Sequence, residues 1–427
     1  MTPSPINHPS APEVPQLPVA QPDTVVPVPS YAKNSPLLQG ILAAHPEYFG
    51  KILAQKDSFR LQIIYTQINR SADNQPGFNP FYLNVDSLNY FYPASTVKMP
   101  VALLALQRLQ ELKIPGLGSA STMITGQEYS KQTPVYNDPT TPDGRPSVAQ
   151  YIRKIFLVSD NDAFNRLYEF LGPQYINDQL HAMGYGDAEI RHRLAITMNE
   201  DENRHTNPVS FLGEGAKPLY TQPMQAYGQP FFLRNEWAGN RHYNEDTLVP
   251  GPMSFARKNR ISLEDLTGIL KSILFPASVP ERQRFKLTPA DQQLVWKYMS
   301  QLPSETVSPS YDPAVFHDAY AKFLLYGSEK GPLLPGVRIF NKIGDAYGFL
   351  TDVAYIVDFE RGVEFMVSAT LYCNSDGIMN DNNYDYETVG FPFMKNLGRV
   401  LYEYELKRPR RKPDLSAFRM TYDKPGR

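Results

Sequence analysis

Strand-like segments at both ends of the chain constrain its fold more than any other feature. The last third carries GVRIFNKIG (336–344), FLTDVAYIVDF (349–359) and GVEFMVSATLY (362–372), and two partners lie far upstream in SFRLQIIYTQINR (58–70) and FYLNVDS (81–87). Each is rich in β-branched and aromatic residues and is bounded by turn formers such as SADNQPGFNP (71–80). The middle reads differently. MPVALLALQRLQEL, SVAQYIRKIFLV, DAFNRLYEFL, ISLEDLTGILKSIL and TPADQQLVWKYMSQL space their apolar residues three and four apart, as does the closing ETVGFPFMKNLGRVLYEYEL. An isolated hairpin is barely stable in water, so the two strand groups need one another. The order predicts an α/β (α+β) fold: an antiparallel sheet built from N- and C-terminal strands, flanked by helices, with an all-helical lobe inserted. A cleft between sheet and lobe is the natural binding site.

The ends and one excursion fall outside this pattern. Residues 1–40 are proline-rich and read as an extended or disordered spacer that cannot bury a core. The domain proper is expected over 41–406, and 407–427, with its KRPRRK run, reads as a solvated basic tail. Residues 209–260 are rich in Gly, Pro and aromatics without a clear period, and loops this long are often functional. A net charge of −2 gives no reason to expect nucleic acid as a partner. No apolar run approaches the length of a membrane span, about 18 residues, although the spacer would serve as a membrane tether. Cys373 is the single cysteine and reads as a small buried hydrophobe. The scattered histidines show no ligand spacing, so neither a metal nor another cofactor is expected.

Three short motifs carry the chemistry. STVK places Ser95 one helical turn before Lys98, just ahead of an apolar helix, which is the spacing of a nucleophile and a base on one face. That pattern alone is cheap, and SYAK (30–33) repeats it inside the spacer. SDN (Ser159–Asn161) falls between two helical stretches, and KIG (Lys342–Gly344) ends a strand. As plain structure, Ser159 and Asn161 would cap helices and Lys342 would be a charge on a strand edge. Together, in this order and on these elements, the three are a strong joint signal.

The chain resembles class A β-lactamases and related penicillin-recognising serine hydrolases from about Ser58 to Leu406, with KIGDAYGFLTDVAYI similar to that family's K-T-G strand and the strand after it. The resemblance implies a β-lactamase/transpeptidase-like fold and an acyl-enzyme mechanism. Ser95 would attack a carbonyl, with its own N–H and that of Asp345 as the oxyanion hole. Lys98 would act as base once burial and the nearby Lys342 bring its pKa down. Ser159 would relay the proton to the leaving group, Lys342 would steer the field around it, and Asn161 would hold the substrate amide. Asn199, Ile343, Gly344 and Asp345 would complete the substrate-binding set.

Two departures qualify this. The family's E-x-x-L-N stretch corresponds to AITMN (195–199), where Asn199 fits and Ala195 replaces the glutamate that positions the deacylating water. Glu200, Asp201 and Glu202 follow, either as solvated carboxylates or as substitutes. Ile343 stands where the family has a hydroxyl, and Asp345 adds negative charge. The expected function is therefore a serine hydrolase acting on an amide or ester, small or peptidoglycan-like, with atypical deacylation. The alternatives are an active class A-type β-lactamase, a DD-peptidase-like enzyme, and a non-hydrolysing penicillin-binding receptor. Such substrates imply an exported, periplasmic or cell-surface protein whose signal is absent from this chain.

Overall fold

The computed structural model describes residues 32–229, 231 and 233–424. Most of the proline-rich spacer therefore lies outside the described residues. Two short helices, α1 (Pro36–Ala43) and α2 (Pro46–Ala54), open the domain, each with proline in its first turn, where the missing N–H costs nothing. A hairpin follows, β1 (Gln62–Arg70) and β2 (Pro76–Leu83). A 3₁₀ turn, Ala94–Val97, runs directly into α3 (Lys98–Leu112), and β3 (Thr122–Thr125), α4 (Val148–Val158), α5 (Asn161–Ala182) and α6 (Glu200–Arg204) come next.

The excursion after Pro208 is ordered as small strands: β4 (Val209–Leu212), β5 (Pro218–Gln222), β6 (Trp237–Ala238), β7 (Arg241–Asn244), β8 (Thr247–Pro250) and β9 (Met253–Ser254). Strands β3, β4 and β5 make one antiparallel sheet, and β6 pairs with β9. Helices α7 (Leu263–Leu274) and α8 (Pro289–Ser300) lead to the long strands β10 (Val337–Ala346), β11 (Phe349–Asp358) and β12 (Val363–Tyr372). Strand β13 (Ile378–Met379) joins the β7–β8 hairpin, and α9 (Phe391–Lys407) closes the domain.

The main sheet has the order β10-β11-β12-β1-β2, antiparallel throughout, so the N-terminal hairpin docks beside the C-terminal meander as the sequence predicts. Side-chain alternation divides the core in two. Phe340, Val353, Tyr355 and Met366 face the helical lobe with α3, α4, α5 and α7. Ile339, Ile343, Ala354 and Ile356 face the opposite layer of α1, α2 and α9. Helix α3 is buried almost all round, from Lys98 through Leu109, which explains its unbroken apolar sequence.

Two boundaries move. The domain begins near Ala32 rather than 41, because Leu38 and Leu42 of α1 are fully buried against the sheet's outer layer. The tail is packed rather than solvated. Leu415 and Phe418 are buried, with the Phe418 ring 4.9 Å from that of Trp296, while Arg408 and Arg410 bind the buried Glu405 carboxylate. Cys373 is fully buried, as expected.

Candidate active site

Ser95 stands on the 3₁₀ turn that feeds α3, half-buried at the floor of a cleft. The preceding Ala94 has φ +45°, a left-handed conformation costing a residue with a Cβ about 1–2 kcal/mol. Thr96 holds the turn closed, donating from both its backbone N–H (3.0 Å) and its hydroxyl (2.7 Å) to the Pro93 carbonyl. The Ser95 N–H, early in the turn, has no intrahelical acceptor. Edge strand β10 lies against this turn at Gly344. A Cβ on Gly344 would sit 2.6 Å from the Pro93 oxygen and 2.9 Å from the amide nitrogens of Ser95 and Thr96, so only glycine lets the strand come this close. The backbone of Asp345 is thereby carried to the side of Ser95.

Behind the cleft, the lobe and sheet bring Lys98, Ser159, Asn161 and Lys342 together. Lys98 is fully buried at the start of α3. Its Nζ donates to the Ser159 carbonyl (2.5 Å), the Ser159 Oγ (3.3 Å) and the Asn161 Oδ1 (2.6 Å). Lys342 Nζ reaches the same Ser159 Oγ from β10 at 2.8 Å and donates to the Ile343 carbonyl at 2.9 Å. Neither Ser159 nor Asn161 serves as an N-cap. Asp160 does so, accepting from the Ala163 N–H, while Ser159 closes α4 in the left-handed region (φ 58°), which aims its hydroxyl at the two amines. Among the described residues the Ser95 hydroxyl has no hydrogen-bond partner, since the three donor positions of Lys98 are filled by Ser159 and Asn161.

Burial works against two ammonium groups on one oxygen. It brings the Lys98 amine down to about 7, against the pull of the Asp160 and Asp345 carboxylates. Lys342 is pushed well below the ordinary lysine range by burial first and then by the cation of Lys98. Asp345 opens onto the cleft mouth, yet its crowded surroundings raise its carboxyl above the usual range, against the pull of Lys342 and Lys98.

The cleft over Ser95 has a volume of about 460 Å³. Besides Ser95, Asn161, Ala195 and Asp345, its walls include Tyr92, Tyr347, Tyr384 and Tyr386. Residues 51–404 match the family described as the beta-lactamase enzyme family. The chain belongs to that family. No curated protein matches it. Among solved structures, this β-lactamase-family chain is similar to the β-lactamase of Sphaerobacter thermophilus DSM 20745, at 12% identity and TM-score 0.46, covering 87% of this chain and 98% of that one. It is similar also to a class A β-lactamase titled as that of the last common ancestor of Gram-negative bacteria, at 14% identity and TM-score 0.47, covering 87% and 99%. A β-lactamase from Burkholderia phymatum gives 14% identity and TM-score 0.45, covering 85% and 98%.

Not every expected site residue of this β-lactamase-family chain reaches the cleft. Ile343 is buried in the core behind the sheet, because alternation turns it away from Lys342. Asn199 caps α6 in a reciprocal box with Glu202, its Oδ1 accepting the Glu202 N–H at 2.8 Å, so its side chain is committed to the helix end. Ala195 does line the cleft, exposed and in the left-handed region at φ 53°. The three carboxylates after it are engaged elsewhere: Glu200 with Arg204 and Arg257, Asp201 with the Tyr129 hydroxyl, Glu202 with Ser130 and Lys131.

Sequence reasoning missed Asn165, one turn beyond Asn161 on α5, whose amide clamps the backbone N–H and carbonyl of Leu194 at 2.8 and 3.0 Å and so fixes the loop bearing Ala195. The i, i+4 spacing of the two asparagines was the available signal. It also missed Asn380, Asn382, Tyr384 and Tyr386, which line the cleft from the segment after β13.

Proposed function

We propose that this serine-hydrolase-type protein forms an acyl-enzyme on Ser95 with an amide or ester and releases it slowly. The observation that carries this reading is the Ser159 hydroxyl held between the Lys98 and Lys342 amines behind the Ser95 cleft. Neutral Lys98, having released one of its acceptors, takes the Ser95 proton as the serine oxygen bonds to the substrate carbonyl carbon. The oxyanion is stabilised by the N–H groups of Ser95 and Asp345. As the C–N or C–O bond breaks, Ser159 gives its proton to the leaving atom and regains one from Lys98, while Lys342 restrains charge on the Ser159 oxygen. Asn161 orients the substrate. Water must then cleave the ester. Ala195 at the cleft, with Glu200, Asp201 and Glu202 paired elsewhere, supports slow release, since losing a positioned general base costs about 10²–10⁴ in rate.

Asp345 at the cleft mouth disfavours a substrate carboxylate beside β10, so an ester or amide lacking one there is the preferred substrate. Turnover of a carboxylated acyl substrate against its methyl ester checks this, and a clear preference for a free acid placed against β10 would refute it. The same proposal includes a location outside the cytoplasm, periplasmic or at the cell surface, with the spacer as tether, since substrates of this class are met there.

Intact-mass measurement after exposure to a penicillin tests the core of it. A stable adduct that Ser95→Ala abolishes is the expected result. Rapid turnover would instead identify an active β-lactamase. Absence of any adduct, with penicillins and with simple activated esters, would leave a binding receptor and end the acyl-transfer reading.

A further inference from the structure

A second cavity of about 380 Å³ adjoins the Ser95 cleft and shares Tyr92, Leu194, Ala195 and Tyr347 with it. Its basic groups are unequally occupied. Arg193 is paired with Glu169, Arg191 with Glu189 and Arg257 with Glu200. Lys258 has no carboxylate partner among the described residues. Its Nζ lies 5.3 Å from the Tyr347 ring centroid and donates to the Tyr347 hydroxyl at 3.3 Å, which keeps it half-buried in the second cavity, against a tyrosine that lines both.

The backbone carrying Lys258 is pinned. Asn259 accepts the N–H groups of Arg191 and His192 on its Oδ1 (2.8 and 3.1 Å), donates through Nδ2 to the His192 carbonyl (3.2 Å), and donates its own N–H to His192 Nε2 (3.1 Å). Arg260 and Glu189 exchange backbone bonds one step further. His192 donates from Nδ1 to the Arg193 carbonyl, and burial brings its pKa down to about 4, so it stays neutral and adds no charge of its own. The excursion between 209 and 260 therefore ends by delivering one fixed, uncompensated cation beside the cleft.

We propose that Lys258, with Tyr347, forms a subsite for an anionic group, a carboxylate carried on the substrate's acyl chain away from the scissile bond. Asp345 repels an anion within the Ser95 cleft, and Lys258 attracts one in the adjoining cavity, so the two together orient the substrate. The proposal rests on the Ser95 reading for turnover but not for binding.

The test uses 4-nitrophenyl hemiesters of succinate, glutarate, adipate and suberate against their methyl diesters, with the full chain. At the best chain length the hemiester should have about tenfold higher kcat/KM, as one charge-assisted contact provides, and the ratio should shrink in high salt. Lys258→Met should bring the ratio to about one, and Lys258→Glu should invert it. A preference that survives Lys258→Met, or no preference at any length, overturns the subsite. Should no ester give even a single-turnover burst of 4-nitrophenolate, the Ser95 reading fails, and the subsite is judged by titration calorimetry of free glutarate with Ser95→Ala chain. Binding lost on adding Lys258→Met supports it, and no binding of glutarate overturns it.

Discussion

Replacing Gly344 by alanine adds one methyl group where three backbone atoms already stand. The new Cβ would lie 2.6 Å from the Pro93 oxygen and 2.9 Å from the nitrogens of Ser95 and Thr96, the first about 0.8 Å inside an ordinary carbon–oxygen contact of about 3.4 Å. No side chain can swing aside. The turn is braced by the two Thr96 bonds to Pro93 and by the left-handed Ala94, so β10 must retreat at its free edge. Overpacking of this kind costs about 1–3 kcal/mol, a few degrees in Tm. Retreat also takes the Asp345 N–H away from the Ser95 N–H, and losing one oxyanion donor costs about 10²–10³ in rate. The assay is the acylation rate with a fluorescent penicillin or activated ester, read at a temperature where the variant is folded by circular dichroism. Gly398→Ala is the control, since its Cβ would lie 2.3 Å from the Leu325 nitrogen in the α9 layer, far from the cleft. Gly344→Ala should lose acylation and Gly398→Ala only stability. Acylation by Gly344→Ala at the unmodified rate, or an equal loss in both variants, would refute the placement of β10 as part of the site.

Other outcomes follow from the same geometry. Acylation should rise with pH through about 7 and fall below it, because the Lys98 amine is a base only when neutral and regains its proton as pH drops through its lowered pKa; a stopped-flow pH profile flat from 6 to 8 would exclude Lys98 as the base. Ala195→Glu should shorten the lifetime of the acyl adduct by about 10–10², read by timed intact mass, with little change in melting temperature because alanine already bears the left-handed backbone. Glu169→Ala should destabilise the fold by about 3–5 kcal/mol in urea, since Arg166 and Arg193 would be left as buried cations without their shared carboxylate.

Much of this was legible because periodicity specifies neighbours. STVK, SDN and KIG sit at the ends of regular elements, and the predicted strand and helix order leaves one way to bring those ends together. What escaped notice needed finer rules. Asn199 followed by Glu202 is itself a capping box, a local signal that outranks a family alignment at that position. Ile343 follows Lys342 on a strand, so alternation alone puts the two on opposite faces. Helix α1 was hidden because its proline read as spacer composition, although proline in a first turn is permitted. Leu415 and Phe418 are isolated apolar residues in a polar tail, and only the pocket formed by Trp296, Phe275 and Tyr355 reveals their role. The cleft walls from 380–386 lie on a loop, where no period exists to read.

The two faces of β10 explain how a site under this much electrostatic strain is held in place. On the cleft side, Lys342 is buried, bound to Ser159 and repelled by Lys98. On the other side, Asn341 donates to the Asp352 carboxylate at 2.8 Å and accepts from Lys322 Nζ at 2.6 Å, and Asp352 accepts the N–H groups of Phe323 and Leu324. Every charged atom in that second set has partners, so β10 is anchored from behind by a satisfied network while its front carries an unsettled pair of amines. Ile343 packs beside that network on the same rear face. The strand is therefore held where it touches the core and free only at its outer edge, where Gly344 and Asp345 lie beside Ser95. A Lys322→Met substitution tests this division of labour. It removes the rear anchor, leaves Asp352 buried with its amide donors, and should loosen β10, so acylation should fall together with amide-exchange protection at 340–344. Loss of one without the other would show that the rear network does not hold the site.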